Sequence, residues 1–224
     1  MLLLVVDTSG RNGRIALARA GDSVAVIGEV PLDGGTFSAQ LVPQIAGLLT
    51  AHGLNKKEID AFVVASGPGS FTGLRVGLAA IKALAEILGK PIVPVSLLEA
   101  VARGSGSQGK VAAALDAGRG EVYVGEYEVT GARAQVLSER LLSKAELLSV
   151  AREAAVTTPD ENLAAVVRDA GFPVMTVAPV GAAAIAELGW QKLEAGETVS
   201  PEGLEANYIR RTDAEIFAKP ANLA

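Results

Sequence analysis

Short apolar runs alternate along the chain with Gly-rich turns and with longer segments of helical periodicity. The run at 2–6 ends at Asp7, and alternating apolar residues resume after a Gly-rich turn, a pattern that predicts a β-hairpin. The run at 111–115 ends at Asp116 and continues in the same way. The chain therefore contains two similar hairpins, each with an aspartate at the end of its first strand.

The elements after each hairpin also follow one order. A third strand is predicted at 24–30 and at 135–141, followed by a helix opened by Ser38 in the first half and by Ser143 in the second. Further helices are predicted over 72–88, 97–102, 160–170 and 181–194, with short strands between them. The order is βββαβαβα in both halves. The polar, Gly-rich stretch after residue 103 separates them, which predicts domains at 1–103 and 110–224, with the tail from about 207 packing back on the first.

A duplicated βββαβαβα unit is the plan of the actin, sugar kinase and Hsp70 superfamily, so the predicted fold class is a two-lobed α/β protein of that kind. In working members the two aspartate-bearing hairpins face each other across a cleft and hold ATP phosphates and a metal. Asp7 and Asp116 are thus the weak candidates for a cofactor site. Their local alternative is to bind the backbone of the turn that follows each of them.

The stretch ASGPGSFTGLR at 65–75 has the appearance of a phosphate-binding loop. A P-loop needs a lysine directly after its last glycine, and Leu74 follows Gly73 here, so that interpretation fails. The glycines instead predict a tight turn from a strand into a helix, with Ser70 or Thr72 as its cap. Free N–H groups at the start of that helix leave a phosphate contact open.

The helix that follows is apolar around most of its circumference. Its polar side chains, Arg75, Lys82 and Glu86, fall on one narrow stripe, and the helix at 39–51 is similarly apolar. Two such helices predict a protein–protein interface, and the alternative is that the second domain buries both. The predicted partner-interface residues are Leu41, Ile45, Leu48, Arg75, Val76, Ala80, Ala83 and Leu84. Arg75 lies in the first turn, where the helix dipole disfavours a cation, so its charge is expected to have a partner. That partner is either an acidic side chain of this fold or, as we predict, one across the interface.

The amino-acid composition excludes several kinds of active site. The chain has 224 residues, a net charge of −5, no cysteine and one histidine, His52. This excludes a thiolate nucleophile and a cysteine-bound metal, and it argues against a broad basic surface for nucleic acid. No metal site is predicted, because nothing around His52 supports a metallohydrolase or a Ser-His-Asp triad. The apolar run at the N-terminus is too short for a membrane span, and a cytoplasmic location is expected.

Four segments carry a resemblance to a known family. They are LLLVVDTS, GPGSFTGLRVGLAAIKALA, LDAGRGEVYVGEY and ANYIRR. Together they resemble the TsaB family, also called YeaZ, and the resemblance covers almost the entire chain. Members act with other proteins in making threonylcarbamoyladenosine in tRNA.

The resemblance implies an interaction protein with no catalytic residues. Its implied role is to bind and support a TsaD-like transferase, which modifies the adenosine next to the anticodon, together with a TsaE-like ATPase. Contact with tRNA would be indirect, through the complex, and the chain alone would form a homodimer through the same helices. No cofactor is expected for the isolated chain, and ATP or ADP is left open for the complex. The alternative function is an ATP-binding phosphotransferase that uses Asp7 and Asp116.

Overall fold

The computed structural model describes residues 1–209, which form two five-stranded sheets with the same strand order. The first sheet runs β3-β2-β1-β4-β5, and the second runs β8-β7-β6-β9-β10. The strands of the first sheet are β1 (Leu2–Asp7), β2 (Gly13–Ala20), β3 (Val24–Leu32), β4 (Ala61–Gly67) and β5 (Ile92–Ser96). Those of the second are β6 (Gly109–Gly118), β7 (Glu121–Thr130), β8 (Arg133–Ser143), β9 (Ala155–Thr158) and β10 (Val174–Thr176).

The described residues also form six α-helices and one 3-10 helix. The helices are α1 (Phe37–Ala51), α2 (Phe71–Leu88), α3 (Leu97–Gly104), α4 (Lys144–Val150), α5 (Glu161–Asp169) and α6 (Ala182–Glu194), and the 3-10 helix is Lys56–Glu58. None of the helices within 1–209 has the length and hydropathy that crossing a membrane requires.

The central strand of each sheet explains the shared topology. Every residue of β1 is buried, and β1 pairs antiparallel with β2 and parallel with β4, so that Leu4 lies opposite both Leu17 and Phe62. β6 is placed in the same way between β7 and β9, with Ala112 opposite Glu126 and Val156. A strand covered on both faces is expected to be apolar, as β1 is from residue 2 to residue 6. The predicted fold class, a duplicated βββαβαβα unit, is confirmed.

The last helix of each half packs on the sheet of the other half. Ile185 and Ala186 of α6 belong to the same core cluster as Val63 of the first sheet. Leu98 of α3 packs with Val111 of the second sheet. The two lobes are therefore joined by exchanged helices, and the predicted domain boundary between 103 and 110 stays a prediction.

Helix starts follow the capping chemistry of the sequence in two cases and depart from it in one. Ser143 and Glu146 form the predicted capping box of α4, and Ser70 caps α2 by accepting the N–H of Gly73. α1 begins at Phe37 with Thr36 before it, so the prediction that Ser38 opens this helix was wrong. The reason is packing, because the buried Phe37 ring lies against Gly13.

Polar contacts bind the end of the described chain to both lobes. The N–H of Asn207 donates to the carbonyl of Ser66 over 2.8 Å. The side-chain amide of Asn207 donates to Glu139, which also accepts hydrogen bonds from Ser96 and Tyr127. Burial raises the pKa of Tyr127, and the neighbouring Glu139 carboxylate raises it further. The rest of the predicted tail, 210–224, lies outside the described residues.

Candidate functional site

The β1–β2 turn uses the Asp7 carboxylate for its own structure. Oδ1 of Asp7 accepts the backbone N–H of Ser9 at 2.9 Å and the Ser9 hydroxyl at 2.5 Å, and Asp7 is buried. This is the local role that an aspartate before a turn commonly has. The arrangement does not favour Asp7 as a ligand for a phosphate-bound metal.

Helix α2 lies unusually close to this turn, and its glycines make the approach feasible. The hydroxyl of Thr8 donates to the carbonyl of Gly73 at 2.8 Å. A Cβ atom at Gly73 would lie 2.0 Å from the Thr8 carbonyl oxygen, and one at Gly77 would lie 2.2 Å from the Thr8 hydroxyl. Gly69 is equally close to Ser9, with 2.3 Å to its carbonyl oxygen. Gly69 and Gly73 of the 65–75 stretch are thus required by the packing of α2 against the β1–β2 turn.

Asp116 occupies a different environment from Asp7. It is exposed on a cleft between the lobes, and its Oδ1 accepts the N–H of Gly118 at 3.1 Å. Residues 1–209 contain no cluster of three or more acidic, histidine or cysteine side chains that could hold a metal. The structure therefore gives Asp7 and Asp116 hydrogen bonds within their own turns.

The cleft between the lobes has a volume of about 530 Å³. Its lining residues are Ser9, Gly10, Arg11, Pro68, Gly69, Ser70, Phe71, Asp116, Ala117, Arg119, Tyr123, Asn207, Tyr208 and Ile209. Sequence reasoning missed Arg11, Arg119 and Tyr208 as cleft residues. A signal was present for the two arginines, because each follows a glycine in the corresponding turn of the repeated hairpin.

The predicted partner interface needs a correction on α1. Leu41, Ile45 and Leu48 are buried in the core cluster of the first sheet, so their side chains have no surface to offer a partner. They lie at i, i+4 and i+7, which is the face with which a helix covers its own sheet. Val42, which the prediction did not include, is 52% exposed.

On α2 the predicted interface residues lie nearer the surface. Arg75 and Ala83 are exposed, whereas Val76, Ala80 and Leu84 are half-buried against the core. Ile87, also not predicted, is 74% exposed. We define the outer face as five exposed apolar residues of the two helices: Val42, Ala46, Ala79, Ala83 and Ile87.

Arg75 finds aromatic partners inside this chain. Its guanidinium carbon lies 3.7 Å from the centre of the Phe71 ring, and its Nε donates to the Tyr208 hydroxyl at 3.2 Å. Within 1–209 it forms no ion pair. Stacking on an aromatic ring stabilises a cation that the helix dipole disfavours. A charge partner across the interface is not needed to explain this residue.

A half-buried ion pair joins the two exchanged helices on another side of the molecule. Nζ of Lys192 in α6 lies 3.0 Å from the Glu99 carboxylate in α3 and 3.1 Å from that of Glu197. Burial raises the pKa of Glu99, and the attraction of Lys192 opposes the rise. The pair connects α3 to α6, and it lies outside the cleft and the outer face.

The duplicated sheet topology, with one helix of each lobe packed on the sheet of the other, defines the class of protein. It has the actin, sugar kinase and Hsp70 fold, and its outer face is an apolar surface on one side of the first lobe. A family model described as "TsaD: tRNA N6-adenosine threonylcarbamoyltransferase" matches residues 34–216. The chain belongs to the TsaB (YeaZ) family, as its relatives show.

Two of these relatives are named tRNA threonylcarbamoyladenosine biosynthesis protein TsaB. The one from Bacillus subtilis is 34% identical over 155 residues, which cover 68% of this chain and 67% of the relative. The one from Escherichia coli is 33% identical over 131 residues, 57% of this chain and 55% of the relative. The matches span between little more than half and two thirds of the length of these relatives. The activity and partners of the relatives are therefore carried over to this chain only as proposals.

Solved structures agree with the fold. A Pseudomonas aeruginosa protein, described as uncharacterized and similar to the peptidase YeaZ, is 28% identical with a TM-score of 0.75, over 93% of this chain and 99% of that one. YeaZ from Pseudomonas aeruginosa is 23% identical with a TM-score of 0.70, over 92% and 99% of the two chains. The similarity to this second structure is evidence for the fold only.

Proposed function

We propose that this chain is a non-catalytic subunit in tRNA N6-threonylcarbamoyladenosine biosynthesis, where it binds and supports a TsaD-like transferase. The names of the B. subtilis and E. coli relatives support the pathway. The observation that carries the binding role is the outer face, which leaves Ile87 74% exposed on a helix whose other side is core. Exposed apolar surface of this kind marks protein interaction sites.

The proposed mechanism is stabilisation of one conformation of the partner. A binding protein shifts a conformational equilibrium only when its affinity differs between the two states. The small side chains of Ala79 and Ala83 let a partner helix approach α2 closely, which gives dense contacts to one helix arrangement and not to another. A TsaE-like ATPase and tRNA would join through the transferase, and ATP or ADP would bind in the complex.

The hydrogen bonds of Asp7, the best candidate for a catalytic acid, support the absence of a catalytic role in this chain. The Asp7 carboxylate is bonded to Ser9 beneath the turn, whereas a phosphotransferase of this fold needs an aspartate directed into the cleft. Without a TsaD-like partner, the outer face would pair with a second copy in an isologous contact. The proposed location is the cytoplasm.

Mixing the purified chain with a TsaD-like protein tests the proposal through the mass of the resulting species. We expect Ala83→Arg to weaken the complex at least about tenfold, a cost of about 1.4 kcal/mol or more, because a long side chain would be forced into a close helix contact. The matched control is Leu137→Arg, which changes an apolar residue that is 54% exposed on the other lobe.

Ala83 is exposed, so its replacement is expected to leave thermal unfolding unchanged. A stable Ala83→Arg variant that binds as tightly as the unmodified chain would contradict the outer face as the binding surface. Failure of the unmodified chain to form any complex would contradict the proposed function itself.

A further inference from the structure

The cleft between the lobes gathers positive charge in a chain whose net charge is −5. Arg11 and Arg119 line it from the turns of the two repeated hairpins, and Asp116 is the acidic residue among its lining side chains. The Asp116 carboxylate accepts a backbone N–H within its own turn. Two arginines from different lobes therefore present a local cationic site where the sequence as a whole predicts none.

Arg119 has a left-handed backbone conformation that a glycine would adopt more readily than an arginine. Its φ is +56°, between Gly118 at +71° and Gly120 at +80°, and within 1–209 it is the only residue other than glycine with a positive φ. Glycine adopts this conformation without the cost of roughly 1–2 kcal/mol that a side chain incurs. A strained residue on a cleft points to a functional side chain.

Two aromatic side chains line the same cleft as the arginines. The rings of Phe71 and Tyr208 are 4.9 Å apart, and Arg75 stacks on Phe71 at 3.7 Å. Tyr208 is 43% exposed, so part of its ring can take a further planar group. Aromatic rings beside cationic side chains are the combination with which proteins bind single-stranded nucleic acid.

The cleft continues beyond the arginines as an open groove. A second cavity of about 550 Å³ shares six lining residues with the first and extends to Asp160 and Asn162. A groove that continues past the cationic site suits a polymer that passes through it better than a free nucleotide that ends in it. Asp160 and Glu161 at the far end repel phosphates, so phosphate contacts are expected only near Arg11 and Arg119.

We propose that this cleft binds single-stranded RNA. Arg11 and Arg119 contact the phosphate backbone, and one base stacks on Tyr208 beside Phe71. The proposal rests on the proposed function, because that function makes an RNA the substrate of the complex. It adds a direct RNA contact by this chain to the indirect contact that the family resemblance implies.

Fluorescence anisotropy of a labelled short single-stranded RNA with the isolated full chain tests this proposal. If two phosphates are contacted, the logarithm of the affinity should fall with the logarithm of the salt concentration with a slope of about −1.4. We expect Arg119→Gln or Arg11→Gln to weaken binding several-fold and to reduce the slope by about 0.7. Tyr208→Leu should weaken binding at least about fivefold through the lost stacking.

Arg133→Gln is the matched control, since it removes the same charge from an exposed residue at the start of β8. Equal weakening by Arg133→Gln and Arg119→Gln would show diffuse attraction and overturn the proposal, as would no binding at all. Competition by adenosine monophosphate as strongly as by unlabelled RNA would assign the cleft to a free nucleotide instead. Using both cleft arginine variants keeps the test valid if one of them fails to fold.

The RNA measurement separates this proposal from the proposed function. Arg119 lies in the turn between β6 and β7 and is not part of the outer face, so Arg119→Gln should leave the complex with a TsaD-like protein intact. Intact complex formation without RNA binding overturns the RNA proposal alone. RNA binding without complex formation overturns the proposed function alone.

Discussion

Gly73→Ala is expected to lower the free energy of unfolding by about 3 kcal/mol, at the upper end of the range for overpacked sites. The added Cβ would lie 2.0 Å from the carbonyl oxygen of Thr8. That oxygen is backbone at the end of a fully buried strand, so it cannot move aside as the end of a long side chain could. The gain in helix propensity, about 1 kcal/mol, is smaller than this cost.

Gly47→Ala provides a matched control in the same lobe. Gly47 lies inside α1, and a Cβ added there meets nothing within 4 Å. The same substitution should therefore stabilise the protein by about 0.5–1 kcal/mol through helix propensity alone. Urea unfolding of the two variants measures both values. Equal stability of the two would mean that α2 does not lie as close to the β1–β2 turn as the structure places it.

The close contact of α2 with this turn also explains how far the ASGPGSFTGLR stretch could be interpreted from sequence. Its spacing excludes a P-loop and predicts a tight turn with a serine cap, and the cap at Ser70 is confirmed. What it could not show is that Gly73 and Gly77 face Thr8, because residues about 65 positions apart in the chain meet only in the folded lobe.

The fold was predictable because the sequence pattern of the aspartate hairpin occurs twice. The two occurrences indicate two copies of the same structural unit. The order of elements follows from local periodicity, and each strand and helix needs only its own residues to be recognised. The exchange of α3 and α6 between the lobes is not local. Both helices are amphipathic, and nothing in the pattern of Leu98 or Ile185 says which of two apolar sheets it will cover.

The same limit explains the mixed result for the interface prediction. A helix that is apolar on most sides shows that it has surplus apolar surface, but the pattern does not say which side meets its own sheet. Leu41 was predicted on the partner side and is core, whereas Val42 next to it is exposed. The cleft arginines were missed for a different reason, since Arg11 and Arg119 come to line one cleft only through the way the lobes are placed.

Leu41→Ala is expected to lower the free energy of unfolding by about 2–5 kcal/mol, as large-to-small changes in a core do. Leu41 is 1% exposed and belongs to the core cluster between α1 and the first sheet. Val42→Ala is the matched control, because it truncates the adjacent, 52% exposed side chain and should change stability by no more than about 0.5 kcal/mol. Thermal or urea unfolding measures both variants.

Binding to a TsaD-like protein should then follow the opposite order. Val42 belongs to the outer face, so its truncation should weaken the complex while the fold stays intact. Leu41→Ala, at a temperature where the variant is still folded, should bind nearly as well as the unmodified chain, because the side chain it shortens faces the sheet. A folded Leu41→Ala variant of normal stability that has lost its partner would reverse the assignment and return Leu41 to the interface. The two neighbouring residues thus distinguish the side of α1 that holds the lobe together from the side that remains for a partner.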